Sequence, residues 1–185
     1  YEHVFHWLAR CAKHLPTDIM EGGRVTDLAC GVGLMGQTLR LLGFGGQLRG
    51  VDISPGMLQM ARRRRCYDSL VCASVESPVD LPPDADVVLC TGALEILDIP
   101  KVLSEARRLC RAPGAQLWAT FQHDDGTAPT AHQGVAGITL PTACDLLRQA
   151  GFVVTHSETA TAFYTPYNGE LLPVPYIFVT ATATL

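Results

Sequence analysis

Charge is scarce in this chain. Asp, Glu, Lys and Arg make up 17% of its 185 residues and leave a formal net charge of -4, whereas an average globular chain carries about 25% charged residues. A mildly acidic chain offers no net basic face to phosphates, which argues against nucleic acid as the main partner. Long apolar runs are missing too. None approaches the ~18 residues of a membrane-spanning helix, so no membrane partner is expected. Cysteines are present but not at metal or redox spacing: Cys11, Cys30, Cys66, Cys72, Cys90, Cys110 and Cys144 contain no C-x-x-C and no zinc-like pairing with His. Their odd number and apolar neighbours predict reduced thiols packed as small hydrophobes in a cytoplasmic protein without a metal site. The opening Tyr1-Glu2-His3 has neither initiator Met nor signal peptide, which suggests a trimmed chain. Internal repeats and low-complexity tracts are absent, which excludes a solenoid.

What is present is apolar residue, 48% of the chain, too much for disorder at so low a charge. A chain of this length buries about 70% of its unfolded surface, enough for one domain over residues 1–185 without staples. Val4, Phe5, Leu8, Cys11, Ala12 and Leu15 share one helical face, and Pro16 stops that helix; an N-terminal helical segment over 1–20 is expected to cap the site. Apolar strands are predicted at 24–30, 47–52, 67–73, 86–91, 116–121, 152–156 and 176–182. Helices are predicted after the glycines at 31, 33 and 36, through Leu39 to Leu42, from Pro55 to Arg65 behind the cap Ser54, at 100–111 and at 141–150. No helix fits between the last two strands, so they should pair antiparallel. Alternating strands and helices predict a mostly parallel sheet covered on both faces.

Gly31-Val32-Gly33-Leu34-Met35-Gly36 matches G-x-G-x-x-G between a strand and a helix. Glycines let backbone approach a ligand closely, and the helix start offers unpaired N–H groups. The pattern alone also fits a tight turn with no ligand. Asp52 strengthens the ligand reading, because a carboxylate ending the second strand, about 20 residues on, can accept both hydroxyls of a ribose. Two ligands use this geometry, a dinucleotide and S-adenosylmethionine.

Asp27-Leu28-Ala29-Cys30-Gly31-Val32-Gly33 and Val51-Asp52-Ile53-Ser54-Pro55-Gly56-Met57-Leu58 resemble the first two motifs of class I S-adenosylmethionine-dependent methyltransferases. Residues 86–91, the helix and Pro-Gly turn over 105–115, and the stretch 146–152 ending Ala-Gly-Phe are similar to later segments of that family. Within it, the first two motifs look most like the small Williams–Beuren-region methyltransferase-like proteins. The resemblance implies a seven-stranded Rossmann-like methyltransferase α/β sheet, order 3-2-1-4-5-7-6, with strand 7 antiparallel. It also implies roles. Asp27 would approach the methionine end of the cofactor, and backbone at Ala29, Gly31 and Gly33 would wrap it. Asp52 would bind the ribose, and Ile53 and Met57 would sandwich adenine. Ser74 and Val75 would lie by adenine, with Ser74 where the family often has an acid. Cys90 and Thr91 would face the methionine amino group.

The transferred methyl is already activated, so holding donor and acceptor about 3–3.5 Å apart supplies most of the catalysis. A base is needed only where the acceptor must lose a proton. No Asn-Pro-Pro-Tyr follows the fourth strand, so adenine or glutamine N-methylation is not expected; the residues there are Thr91-Gly92-Ala93-Leu94-Glu95. Base candidates are His123, Asp124, Asp125 and His132 in the loop after strand five, which fits a solvated loop equally well. Tyr164, Tyr167 and Asn168, with Phe163 and Tyr176, either line an acceptor pocket or pack a hairpin edge. Arg62 to Arg65 complement a helix dipole. The leading expectation is a methyltransferase acting on a small-molecule acceptor with S-adenosylmethionine as cofactor. A non-catalytic binding module and an NAD-dependent oxidoreductase are the rivals.

Overall fold

The computed structural model describes residues 2–124, 137–167 (residue 167 for its backbone only) and 169–184. One seven-stranded sheet organises them. Its strands are β1 (Arg24–Leu28), β2 (Gln47–Asp52), β3 (Ser69–Cys72), β4 (Val87–Cys90), β5 (Gln116–Gln122), β6 (Phe152–Tyr167) and β7 (Glu170–Ala183). Their order is β3-β2-β1-β4-β5-β7-β6, as expected. The first five run parallel, and β7 lies antiparallel to both β5 and β6.

β1, β2, β4 and β5 are buried along nearly their whole length because helices cover both faces. On one face, α5 (Ile99–Leu109) and α6 (Leu140–Gln149) cover Leu28, Val51, Val88, Leu117 and Val179. On the other, α1 (Glu2–Lys13) and α3 (Leu34–Leu41) cover Val25, Leu89, Trp118 and Phe178. The amphipathic pattern of α1 buries Val4, Trp7, Leu8 and Ala12, and the Trp7 and Phe178 rings meet at 5.4 Å. Local chemistry starts the helices where the sequence places them. Ser54 Oγ accepts from Met57 N ahead of α4 (Pro55–Arg64), and Asp98 Oδ1 accepts from Lys101 N ahead of α5.

Two expectations change, and one turn is added. The N-terminal helix is two helices, because Pro16 stops α1 and then stands at the N-cap of α2 (Thr17–Gly22). A short 3₁₀ turn at Leu94–Ile96 precedes α5. The last two strands are far longer than 152–156 and 176–182, forming a hairpin closed at Gly169, whose φ is +87°. The hairpin outruns its neighbour. β5 ends at Gln122 opposite Tyr176, and the rest of β7 pairs with β6 alone. Among the described residues no helix is long and apolar enough to cross a membrane, and no cluster of His, Cys, Asp and Glu is built to hold a metal.

Candidate active site

The site begins where β1 ends. Ala29, Gly31 and Gly33 all have left-handed backbone, with φ of +54°, +53° and +84°. For Ala29 this conformation is uncommon and costs local energy. The loop is fastened to β2 by Asp52, whose Oδ2 accepts from Gly31 N and whose Oδ1 accepts from Ser54 N, both at 2.8 Å. Each oxygen has further lone-pair capacity, so the carboxylate can hold the loop and accept ligand hydroxyls together.

The three motif glycines do different jobs. A Cβ at Gly31 would meet nothing within 4 Å, so this residue borders open space. A Cβ at Gly33 would lie 2.9 Å from the Tyr67 ring, and one at Gly36 2.4 Å from it. Those two glycines admit Tyr67, whose hydroxyl donates to Asp27 Oδ2 at 2.5 Å. Asp27 is almost completely buried. Burial raises its pKa to about 7; the Tyr67 hydrogen bond works the other way, and the Asp52 charge adds to the rise. The Tyr67 hydroxyl is pushed far above the usual phenol range, mainly by burial and then by Asp27.

Asp27, Ala29 and Gly31 open into a cavity of about 170 Å³ at the carboxyl ends of β1, β4 and β5, where open α/β sheets bind ligands. Thr91 and Gly92 after β4 and Thr120 of β5 line it, with Thr120 Oγ1 accepting from Gly92 N at 2.8 Å. The far wall is apolar: Val4 from α1, Leu34 and Met35 from α3, and Ala162, Phe163 and Tyr176 from the hairpin. The Phe163 and Tyr176 rings lie 5.8 Å apart. Tyr176 is buried, and its hydroxyl donates to Glu95 Oε1 at 2.6 Å.

The remaining predicted residues scatter. Ile53 and Met57 stand exposed beyond Asp52, 69% and 44% accessible. Ser74 turns its Oγ to Glu76 N. Val75 and Cys90 have their side chains in the core and do not line the cavity. Tyr164 belongs to β6, next to Phe163, and alternation turns it outward to 62% exposure, away from the cavity. His123 leaves β5 with its N–H on Pro175 O and does not line the cavity. Asp125, His132 and Asn168 lie outside the described residues, as does the Tyr167 side chain. The residues missed by sequence reasoning are Tyr67, Gly92, Thr120 and Glu95. Their partners are distant in sequence, and only the motif spacing of Gly33 and Gly36 hinted that something must fill the room they leave.

Comparison with known proteins agrees with this geometry. Residues 26–117 match the family described as "Methyltransferase domain". Human "Methyltransferase-like protein 27" is 42% identical over 78 residues, which cover 41% of this chain and 31% of that protein. The "2-phytyl-1,4-naphtoquinone methyltransferase" of Thermosynechococcus vestitus is 28% identical over 182 residues, 81% of this chain and 79% of that one. Among solved structures, magnesium protoporphyrin IX methyltransferase from Synechocystis, with S-adenosylmethionine bound, shares the fold at a TM-score of 0.66 and 18% identity, covering 99% of this chain and 77% of that one. With its strand order, glycine turn and Asp52 in place, the chain belongs to the class I S-adenosylmethionine-dependent methyltransferases.

Proposed function

We propose that this chain transfers a methyl group from S-adenosylmethionine to a small-molecule acceptor held against the apolar wall of the cavity. One observation carries the reading: the glycine turn and the aromatic face of the hairpin converge on the same 170 Å³ cavity. The residues fit the cofactor. Gly31 leaves the loop open where a side chain would intrude, Asp27 supplies a buried carboxyl inside the cavity for a cationic group, and Asp52 accepts hydroxyls outside it. When bound, the cofactor supplies a methyl activated by a sulfonium.

The chain supplies position. Val4, Leu34 and Phe163 exclude water, and Thr91, Gly92 and Thr120 form a hydrogen-bonded floor. Fixing two reactants in line converts a bimolecular step into an effectively unimolecular one. A cavity below the roughly 300–1,000 Å³ of drug-sized sites suits the reacting end of an acceptor, and an apolar wall suits ring compounds. The naphthoquinone named for one relative is such a compound. One domain over 1–185 and a reducing, cytoplasmic setting belong to this reading, supported by a single shared sheet and seven unpaired thiols.

The test is transfer of label from methyl-labelled S-adenosylmethionine to quinols, phenols and carboxylic acids, beside protein and RNA. Label in the small-molecule fraction is expected. Label confined to the macromolecules, or no calorimetric binding of the cofactor, overturns the reading.

A further inference from the structure

Glu95 sits in the 3₁₀ turn after β4, half-buried, and its two oxygens are unequal. Oε1 receives the Tyr176 hydroxyl at 2.6 Å. Oε2 is buried without a hydrogen-bond partner among the described residues. A buried carboxylate oxygen left unsatisfied is costly and rare in folded proteins, and it calls for a reason. The sheet also spends a long-range contact to hold the pair, since the two residues are 81 positions apart. Tyr176 is the member that lines the cavity. Tyr176 therefore joins the cavity it lines to a carboxylate with an unoccupied oxygen.

We propose that Tyr176 and Glu95 form the proton-accepting end of the cavity, and that the methyl acceptor is a weakly acidic hydroxyl of the phenol class. The proposal rests on the methyltransferase reading above and adds to it the acceptor atom and the fate of its proton. As the acceptor oxygen bonds to the methyl carbon, the carbon–sulfur bond breaks and its electron pair stays on sulfur. The hydroxyl proton passes to the Tyr176 oxygen while the Tyr176 proton moves to Glu95, which then releases it to water. Tyr176 is the catalytic residue; Glu95 acts through it, as a positioning residue and proton sink. An acceptor that loses no proton would have no use for the pair.

The experiment compares the wild type with Glu95→Gln and Tyr176→Phe, each confirmed folded by circular dichroism and by calorimetric binding of S-adenosylmethionine. The probe acceptors are catechol, hydroquinone and 4-nitrophenol. Expected is an approximately 100-fold or larger fall in kcat for hydroquinone in both variants, within the range of general-base effects, with cofactor affinity and acceptor KM little changed. At a pH where 4-nitrophenol is already ionised, its rate should fall less than threefold. A second readout needs no turnover. In the complex with S-adenosylhomocysteine, the absorbance of bound 4-nitrophenol should show it ionising at higher pH in the wild type than in Glu95→Gln, because the carboxylate charge disfavours a second anion. Loss of cofactor binding by the wild type would defeat the methyltransferase reading itself. Cofactor binding with transfer to no phenol, or equal hydroquinone rates in all three proteins, would overturn this proposal and leave that reading standing.

Discussion

The ring of Tyr67 occupies the space that a side chain at Gly36 would need: a Cβ built there would stand 2.4 Å from Tyr67 Cζ and 2.6 Å from its hydroxyl oxygen. The glycine motif thus serves two ends, open space at Gly31, where the proposed cofactor would sit, and the Tyr67–Asp27 hydrogen bond at Gly33 and Gly36.

The two ends separate by mutation. Gly31→Ala should leave the fold largely intact, at about 1–2 kcal/mol for its left-handed backbone, and weaken cofactor binding. Gly36→Val should destabilise by about 1–3 kcal/mol, because overpacking forces Tyr67 aside. Urea unfolding and calorimetric titration of both variants check this. Unchanged cofactor affinity in the folded Gly31→Ala variant would contradict it.

Asp52→Ala should weaken S-adenosylmethionine binding at least tenfold, about 1.4 kcal/mol, through lost ribose contacts. It should also destabilise the ligand-free protein by about 1–3 kcal/mol, since Gly31 N and Ser54 N lose their acceptor. A residue at the open end of a strand reads in sequence as dispensable to the fold; its two backbone bonds make it a fastener. Asp52→Asn keeps one acceptor oxygen and should fall between. Thermal unfolding with and without cofactor separates the two effects.

Asp27 predicts a pH dependence. Its carboxyl titrates at about 7 rather than 3.8, so below pH 7 it is neutral in the ligand-free protein. A cationic ligand favours the ionised form, so affinity should rise with pH, about tenfold per unit below 7 where this group dominates, and level off above. Stability runs the opposite way. With the folded pKa above the unfolded one, the folded state holds the extra proton, so this contribution is fully present below pH 3.8 and is lost as pH rises to about 7. Calorimetry from pH 5.5 to 8 on the wild type and Asp27→Asn checks it, and the variant should show a flat profile.

Neighbours on β6 should differ sharply. Phe163→Ala removes cavity wall and should raise the acceptor KM about tenfold without changing cofactor affinity. Tyr164→Ala, on the exposed side of the same strand, should change neither. Steady-state kinetics with one acceptor decides between them.

The sequence revealed the sheet better than it revealed the wall. β2 was legible to the residue because Leu48 and Val51 are set between the turn glycines Gly45 and Gly46 and the cap Ser54. The hairpin was not. Its outer half carries Glu170 and three prolines, residues that count against a strand. Pro173 and Pro175 are tolerated because β7 has β6 on one side only beyond Tyr176, so no second ladder loses a bond. Two register shifts, at Val154/His156 and Thr161/Phe163, break the alternation further. Ser54, Asp52 and Gly31 were readable from local spacing. Glu95 and Tyr67 were not, since each matters through a partner that only folding brings near.

The outer hairpin also separates two kinds of inheritance. From Tyr167 back to Thr161, β6 closes its backbone bonds only with β7, while the cofactor loop is tied to β1 and β2. Substitutions, insertions or shortening in that lobe reshape the acceptor wall without touching the bonds that hold the glycine turn. On the proposed function, the acceptor wall can therefore be changed by substitution or grafting in the outer hairpin while the bonds at Gly31 and Asp52 stay in place.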